Sequence, residues 1–349
     1  MKTGMKVDQF LAEIARRDQA KMDYVAPQAA MSMAPDGEHL EVKGLGAFSL
    51  TNIAHGQIAE RMRIPRSYYE RCGDVPGLRA QNVNGWLHNG DENAVRRTIR
   101  TMDGRARAIL SDRYRPLDNI LIVGAALPVL AANPDLIVTA ADIGEARMYL
   151  QVVLPKLHAE IQVGDAVQYG FTITNSEVGM GAVDVKSFVY RLVCKNGMIG
   201  ESVTRRYHVG RRVGNDEEDY SIFSDETIEA ELKSFQLRLR DTLIATLNQT
   251  AFEALVERMR KGVEDKVAPI SVQDTVLNIT KRYSMSEAEM SAIFNRIMGD
   301  GGFNRWHIAN AITAQAHDTE NPDRQYDLER IGYELAVMPS KEFATMVAA

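Results

Sequence analysis

The chain has 349 residues, 45% of them hydrophobic and 25% charged, a profile of ordinary soluble globular protein long enough for two or three domains. Its two cysteines, Cys72 and Cys194, are too few and too far apart for a disulfide framework or a CxxC metal site, and no window holds the apolar run a membrane span needs. The expectation is therefore a soluble cytoplasmic protein with no membrane partner. A net charge of −6 argues against indiscriminate polyanion binding but not against a segregated basic patch.

Val7, Phe10, Leu11 and Ile14 recur at helical spacing and predict an amphipathic helix over 6–20. Residues 26–46 are rich in Pro, Gly, Ala and Met and read as irregular. The stretch 45–72 reads as a short strand, a Thr51 or Asn52 cap, and two short helices separated at Ile64-Pro65. A plain helical pair is favoured there over a DNA-reading helix-turn-helix, because the second helix offers only Arg66 and Arg71 to bases. Residues 82–91 form a turn-rich linker that closes a mainly helical N-terminal region, 1–90.

A central α+β core is expected over 91–265. It opens on the densest basic run of the chain, where Arg96, Arg97, Arg100, Arg105, Arg107, Arg113 and Arg115 face only Asp103 and Asp112 up to Arg115. Ser111, Asp112, Pro116, Asp118 and Asn119 are turn and cap formers, so Arg113, Tyr114 and Arg115 are expected on a loop. Asp118 or Asn119 would cap a helix over 120–130, broken at Pro128 and ended by Asn133-Pro134. A loop beside a helix N-terminus favours an anion.

The runs 137–140, 147–154, 166–175, 182–194 and 202–209 are β-branched and aromatic and are broken by Gly, Asn and Asp, the pattern of an antiparallel meander. Tyr169, Phe171 and Ile173 alternate with Thr172 and Thr174, so one face is buried. Gly179 and Gly181 in the turn 175–181 supply backbone angles other residues avoid. A second basic cluster, Lys186, Arg191, Lys195, Arg205, Arg206, Arg211 and Arg212, closes the sheet and is followed by eight acids between Asp216 and Glu231. The acids at 225–231 suit the first turns of a long amphipathic helix over 224–263, and the segment 215–219 would cover the basic sheet when no ligand is bound. The C-terminal region, 266–349, reads as helices near 272–282, 286–298, 304–316 and 325–337. The fold class is thus an antiparallel β-meander packed against a long helix, with helical N- and C-terminal regions.

The chemistry of a known enzyme class is hard to find. The seven histidines are scattered without metal-ligand spacing, and no Walker motif, dinucleotide loop or nucleophile elbow is present. Cys194, in a strand-like VCKNG, reads as a buried thiol. No catalytic residue, metal or cofactor is assigned.

Four motifs, RAILSDRYRPLDN (107–119), TNSEVGMGAVDV (174–185), YRLVCKNGM (190–198) and WHIANAITAQAH (306–317), in this order resemble the phage- and plasmid-encoded domain-of-unknown-function 932 family over roughly residues 45–335. Where the commoner family pattern has Asn-Thr-Leu after the cysteine, this chain has Asn196-Gly197-Met198. The resemblance implies a protein of mobile genetic elements and supplies no biochemical activity. The meander and helix are also similar to the β-β-β-α core of the Rad52-like annealing proteins, which implies rings or filaments.

The expected function is single-stranded nucleic-acid binding (DNA or RNA) by a homo-oligomer, in the form of a strand-annealing recombination protein. Arg113, Arg115, Arg191, Lys195, Arg205, Arg206, Arg211 and Arg212 would track phosphates, Tyr114 would stack on a base, and Asn175, Ser176 and Asn196 would add polar contacts. The alternative is an oligomeric structural or regulatory protein that binds and modulates a host enzyme.

Overall fold

The computed structural model describes residues 5–89, 95–114, 117–206 and 225–347. Helix α1 (Val7–Ala20) buries Phe10 and Ile14, four residues apart on one stripe. Strands β1 (Lys21–Pro27), β2 (Met31–Met33), β3 (His39–Val42) and β4 (Gly46–Leu50) follow, then helices α2 (Asn52–Arg61), α3 (Arg66–Cys72) and α4 (Leu78–Leu87). The chain returns as the hairpin β5 (Arg96–Met102) and β6 (Arg105–Ser111), and these six strands form one sheet in the order β1-β5-β6-β4-β3-β2. Every pairing is antiparallel except that of β4 with β6.

Two expectations are corrected here. The N-terminal region carries four strands beside its four helices, and 26–46 is not irregular, because Met31, Met33, Leu40 and Val42 alternate into a core beneath α2 and α4 and methionine fills such a core as readily as a branched residue does. The basic run does not open the central core. Arg96–Ser111 is a hairpin turned at Asp103 and Gly104, both at positive φ, and it pairs with N-terminal strands. Its arginines disguised a strand buried on both faces, with Ala108 and Leu110 in one cluster and, past a bulge at Arg107, Ala106 and Ile109 in another.

Helix α5 (Asn119–Ala132) runs on through Pro128 where a break was expected. One helical hydrogen bond is lost there, and the buried Val123, Ala126 and Val129 hold the helix on its neighbours. Strands β7 (Ile137–Ile143), β8 (Met148–Gln162), β9 (Asp165–Asn175), β10 (Val183–Arg191) and β11 (Asn196–Arg206) then form the expected antiparallel meander, in the order β11-β10-β9-β8-β7. Tyr169, Phe171 and Ile173 of β9 sit opposite Leu154, Val152 and Leu150 of β8 and Val189, Ser187 and Val185 of β10. These residues make one face of the sheet, since side chains two apart share a face.

That face is covered by two helices where one was expected. Helix α6 (Asp225–Thr246) packs Phe235, Leu239 and Leu243 near Phe171, Ile173 and Val185, and α7 (Gln249–Glu264) packs Phe252, Val256 and Met259 near Val167, Tyr169 and Val189. The Tyr169 and Phe252 rings stack at 5.1 Å. The break falls at Leu247-Asn248 because the Asn248 side chain accepts from the Ala251 amide at 3.0 Å and caps the second helix. The helices α8 (Val272–Arg282), α9 (Glu287–Asp300), α10 (Arg305–Gln315), α11 (Pro322–Val337) and α12 (Ser340–Ala344) follow. Their starts carry local signals: a Ser286/Glu289 capping box on α9, Asn304 on α10, and Asn321 with Pro322 on α11. No helix among the described residues is long and apolar enough to cross a membrane.

Candidate functional site: two polar junctions and a cleft

The segments 107–119 and 174–185 meet. Arg100 of β5, almost fully buried, donates to Asp23 at 2.9 Å, to Asp118 at 2.8 Å and to the Glu177 carbonyl at 2.8 Å. Arg107 of β6 reaches Glu177 Oε2 at 3.3 Å, while the backbone N–H of Asn119, at the start of α5, donates to Glu177 Oε1 at 2.8 Å. The predicted cap is therefore displaced. Asp118 is the residue before the helix, but its side chain is turned to Arg100 and Lys21, and Glu177, from the turn after β9, serves the helix N-terminus. Burial opposes ionisation of Asp118, yet Arg100 and Lys21 outweigh it and hold its carboxyl below the usual range.

This junction accounts for three predicted site residues. Tyr114 is buried and its hydroxyl donates to the Ser176 carbonyl at 3.4 Å; Asn175 donates to the Leu117 carbonyl at 2.7 Å and to Asn119 Oδ1 at 2.9 Å; Ser176 Oγ accepts from the Met180 amide at 3.0 Å. All three brace the turn between the sheets instead of facing a ligand. Gly179 has the left-handed φ that the turn requires, but Gly181 does not; there a side chain would press on Arg147, whose Nε is 3.1 Å from the Cβ position. Arg113 is exposed beside the junction.

The last two motifs meet at the other end of β10 and β11. Asp165 accepts from Arg191 at 2.6 and 2.8 Å and from the Trp306 indole N–H at 2.8 Å. Asn196, also buried, donates to Thr313 Oγ1 of α10. Arg191 and Asn196 are thus consumed in fastening α10 to the hairpin. Lys195 is exposed in the turn, and so is Cys194, which the turn lifts out of the burial expected for a strand. Among the described residues, the backbone positions of the predicted basic residues do not all fall together. Arg205 and Arg206 pair with Asp184 and Val183 at the opposite end of the hairpin from Arg191 and Asn196, and a strand of that length spans about 30 Å. Arg115, Arg211, Arg212 and the acidic 215–219 segment lie outside the described residues.

The second face of the central sheet carries the cleft that sequence reading missed. Gln151 and Tyr149 of β8, Phe188 and Tyr190 of β10 point to this face, and α11 crosses it with Pro322, Gln325, Tyr326 and Glu329 on one stripe. With Thr139 and Asp142 of β7, Lys195, and His317 after α10, they line a narrow cleft with about 70 Å³ of free space. Gln151 Nε2 donates to Glu329 Oε2 at 2.5 Å. Burial pushes the Glu329 carboxyl up to about 7, since that amide alone favours its charge. Tyr149 donates to Asp323, its ring 5.1 Å from that of Tyr326, and Lys186 Nζ lies 5.4 Å from the Tyr326 ring on the same wall. Burial, with Glu329 adding to it, raises the Tyr190 hydroxyl, and burial lowers the His317 imidazole, so both are neutral at pH 7.

A perturbed carboxyl in a cleft is the usual mark of a functional site. In sequence it left only Tyr149/Gln151 at strand spacing and Tyr326/Glu329 at helical spacing, patterns that any half-buried face produces. Among the described residues no group of three or more His, Cys, Asp or Glu side chains is placed to hold a metal ion. Comparison with family profiles, with curated proteins and with solved structures finds no match to this chain.

Proposed function

We propose that this chain binds single-stranded nucleic acid, with the cleft and the adjoining β10–β11 turn as its contact surface. The observation that supports the reading best is the juxtaposition of Tyr190, the Gln151–Glu329 pair and the exposed Lys195 around one opening. Together they offer what a nucleotide needs: an aromatic face, hydrogen-bonding groups for a base edge, and a cation for a phosphate. A strand-annealing role is the form of the reading that suits a meander followed by α6. Fold likeness of that kind leaves the partner open, so the proposal rests on the cleft.

Fluorescence anisotropy with labelled oligonucleotides across a salt series tests it. Affinity should fall as salt rises, and Lys195→Ala should weaken binding and reduce the slope of log K against log salt by about 0.7, the single-strand value per phosphate contact. Folded protein that binds no oligonucleotide, or binds with no salt dependence, would overturn the reading.

A second reading, an oligomeric protein-interaction protein, is favoured by the edges of the central sheet. Ile137 on β7 and Val203 on β11 are about half exposed on its two outermost strands, and unpaired strand edges recruit further strands. Sedimentation with and without oligonucleotide separates the two: assembly indifferent to DNA favours this second reading.

A further inference from the structure

The floor of the cleft constrains what can fill it. Glu329 Oε2 accepts from the Gln151 amide, and no described residue donates to Glu329 Oε1. Glu329 is half-buried and lines the cleft, and an acceptor left without a donor once a ligand displaces its water is costly, so the complementary ligand brings N–H groups to it. On the wall, the Tyr326 ring is engaged by Tyr149 and Lys186, while the half-buried Tyr190, which meets only Phe188 at 6.3 Å among the ring contacts of the described residues, is the better placed for stacking.

We infer that the cleft receives one guanine base, its N1–H and N2–H groups donating to the Glu329 carboxylate beside Tyr190; this deepens, and rests on, the reading of the chain as a nucleic-acid binder. Guanine alone of the four bases presents two adjacent donors on its pairing edge, the match for a carboxylate that accepts through two oxygens. Its O6 lies next to those donors, where the second N–H of the Gln151 amide is free to meet it. Adenine and cytosine turn a ring-nitrogen acceptor toward the carboxylate, and thymine flanks its single donor with two carbonyls, so each sets lone pairs against the negative charge. The raised Glu329 carboxyl agrees with a site short of donors when empty, and two charge-assisted bonds from the base would favour its ionised form.

The test uses the full chain at pH 8 and a fluorescent oligothymidine with one central dG, dA or deoxyinosine, the last lacking only the N2 amino group. The dG probe should bind about 5- to 100-fold more tightly than the dA probe, the range for a bidentate base contact, with deoxyinosine between them. Glu329→Gln should abolish the preference for the dG over the dA probe; Tyr190→Leu should lower affinity for the dG probe most. Equal binding of all three probes would overturn the guanine site and leave the nucleic-acid reading standing. If folded protein binds no oligonucleotide, that reading fails, and guanosine monophosphate decides the cleft. A rise in thermal midpoint with the nucleotide in the native chain and not in Glu329→Gln supports a free-nucleotide site, and no rise in either overturns it.

Discussion

Glu329 shows how a single residue turns burial into a measurable property. Its carboxyl is raised from the ordinary 4.5 to about 7 because burial penalises the charge and Gln151 alone offsets it. The folded state therefore holds the proton more tightly than the unfolded chain. The corresponding stability is fully present below about 4.5 and is lost as pH rises through about 7, amounting to about 3 kcal/mol by the linkage relation. Glu329→Gln keeps the shape and the contact to Gln151 but carries no charge. Its thermal midpoint should exceed that of the native chain by several degrees at pH 8 and should match it at pH 5. Equal midpoints at both values would mean that Glu329 is solvated. Retaining so unfavourable a charge is the kind of stability cost that sites of function impose.

The packing of elements is set by where side chains are absent. At Gly332 of α11 an added Cβ would lie 2.1 Å from Thr313 Cγ2 and 2.9 Å from the Ala309 carbonyl oxygen, so α10 and α11 cross at a distance only glycine allows. Gly332→Ala should destabilise by about 1–3 kcal/mol, the usual range for overpacking, as read from urea unfolding. Gly299, in α9, has open space at the Cβ position and no left-handed φ. Gly299→Ala should stabilise by about 0.4–1 kcal/mol through the unfolded chain. Opposite signs for the two variants identify packing, and not helix propensity, as the cause. The break between α6 and α7 has the same local character: one Asn248 side chain ends the run that the apolar spacing alone would continue to 263.

At the scale of the whole molecule, the two sheets are joined by buried charge. Arg100 links β1, the segment before α5 and the turn after β9 through Asp23, Asp118 and Glu177. Replacing it leaves carboxylates buried without their cation, which costs about 3–5 kcal/mol in comparable pairs. Arg100→Ala should lose stability on that scale. Amide exchange should rise in β1, in β5 and at the start of α5 together; exchange confined to β5 would show that the junction does not couple the sheets. Arg113, outside this network and exposed, should tolerate the same substitution within about 0.5 kcal/mol.

Much of the architecture is legible in the residues themselves. The alternation of Tyr169, Phe171 and Ile173, the Ser286, Asn304 and Asn321 caps, and the apolar spacing of α6 are short-range patterns, and short-range sterics and hydrogen bonding act on them directly. The four motifs were also visible as unusual. Their pairing was not, because Tyr114 meets Ser176, and Asn196 meets Thr313, across 62 and 117 residues. The polar residues chosen for ligand contact, Tyr114, Asn175, Ser176, Arg191 and Asn196, are polar because buried backbone and carboxylate groups need partners, a demand that exists only once the chain has closed. The cleft is the converse. Gln151, Tyr190, Tyr326 and Glu329 carry no local signal, and only the crossing of α11 over the second face of the sheet brings them together and half-buries Glu329.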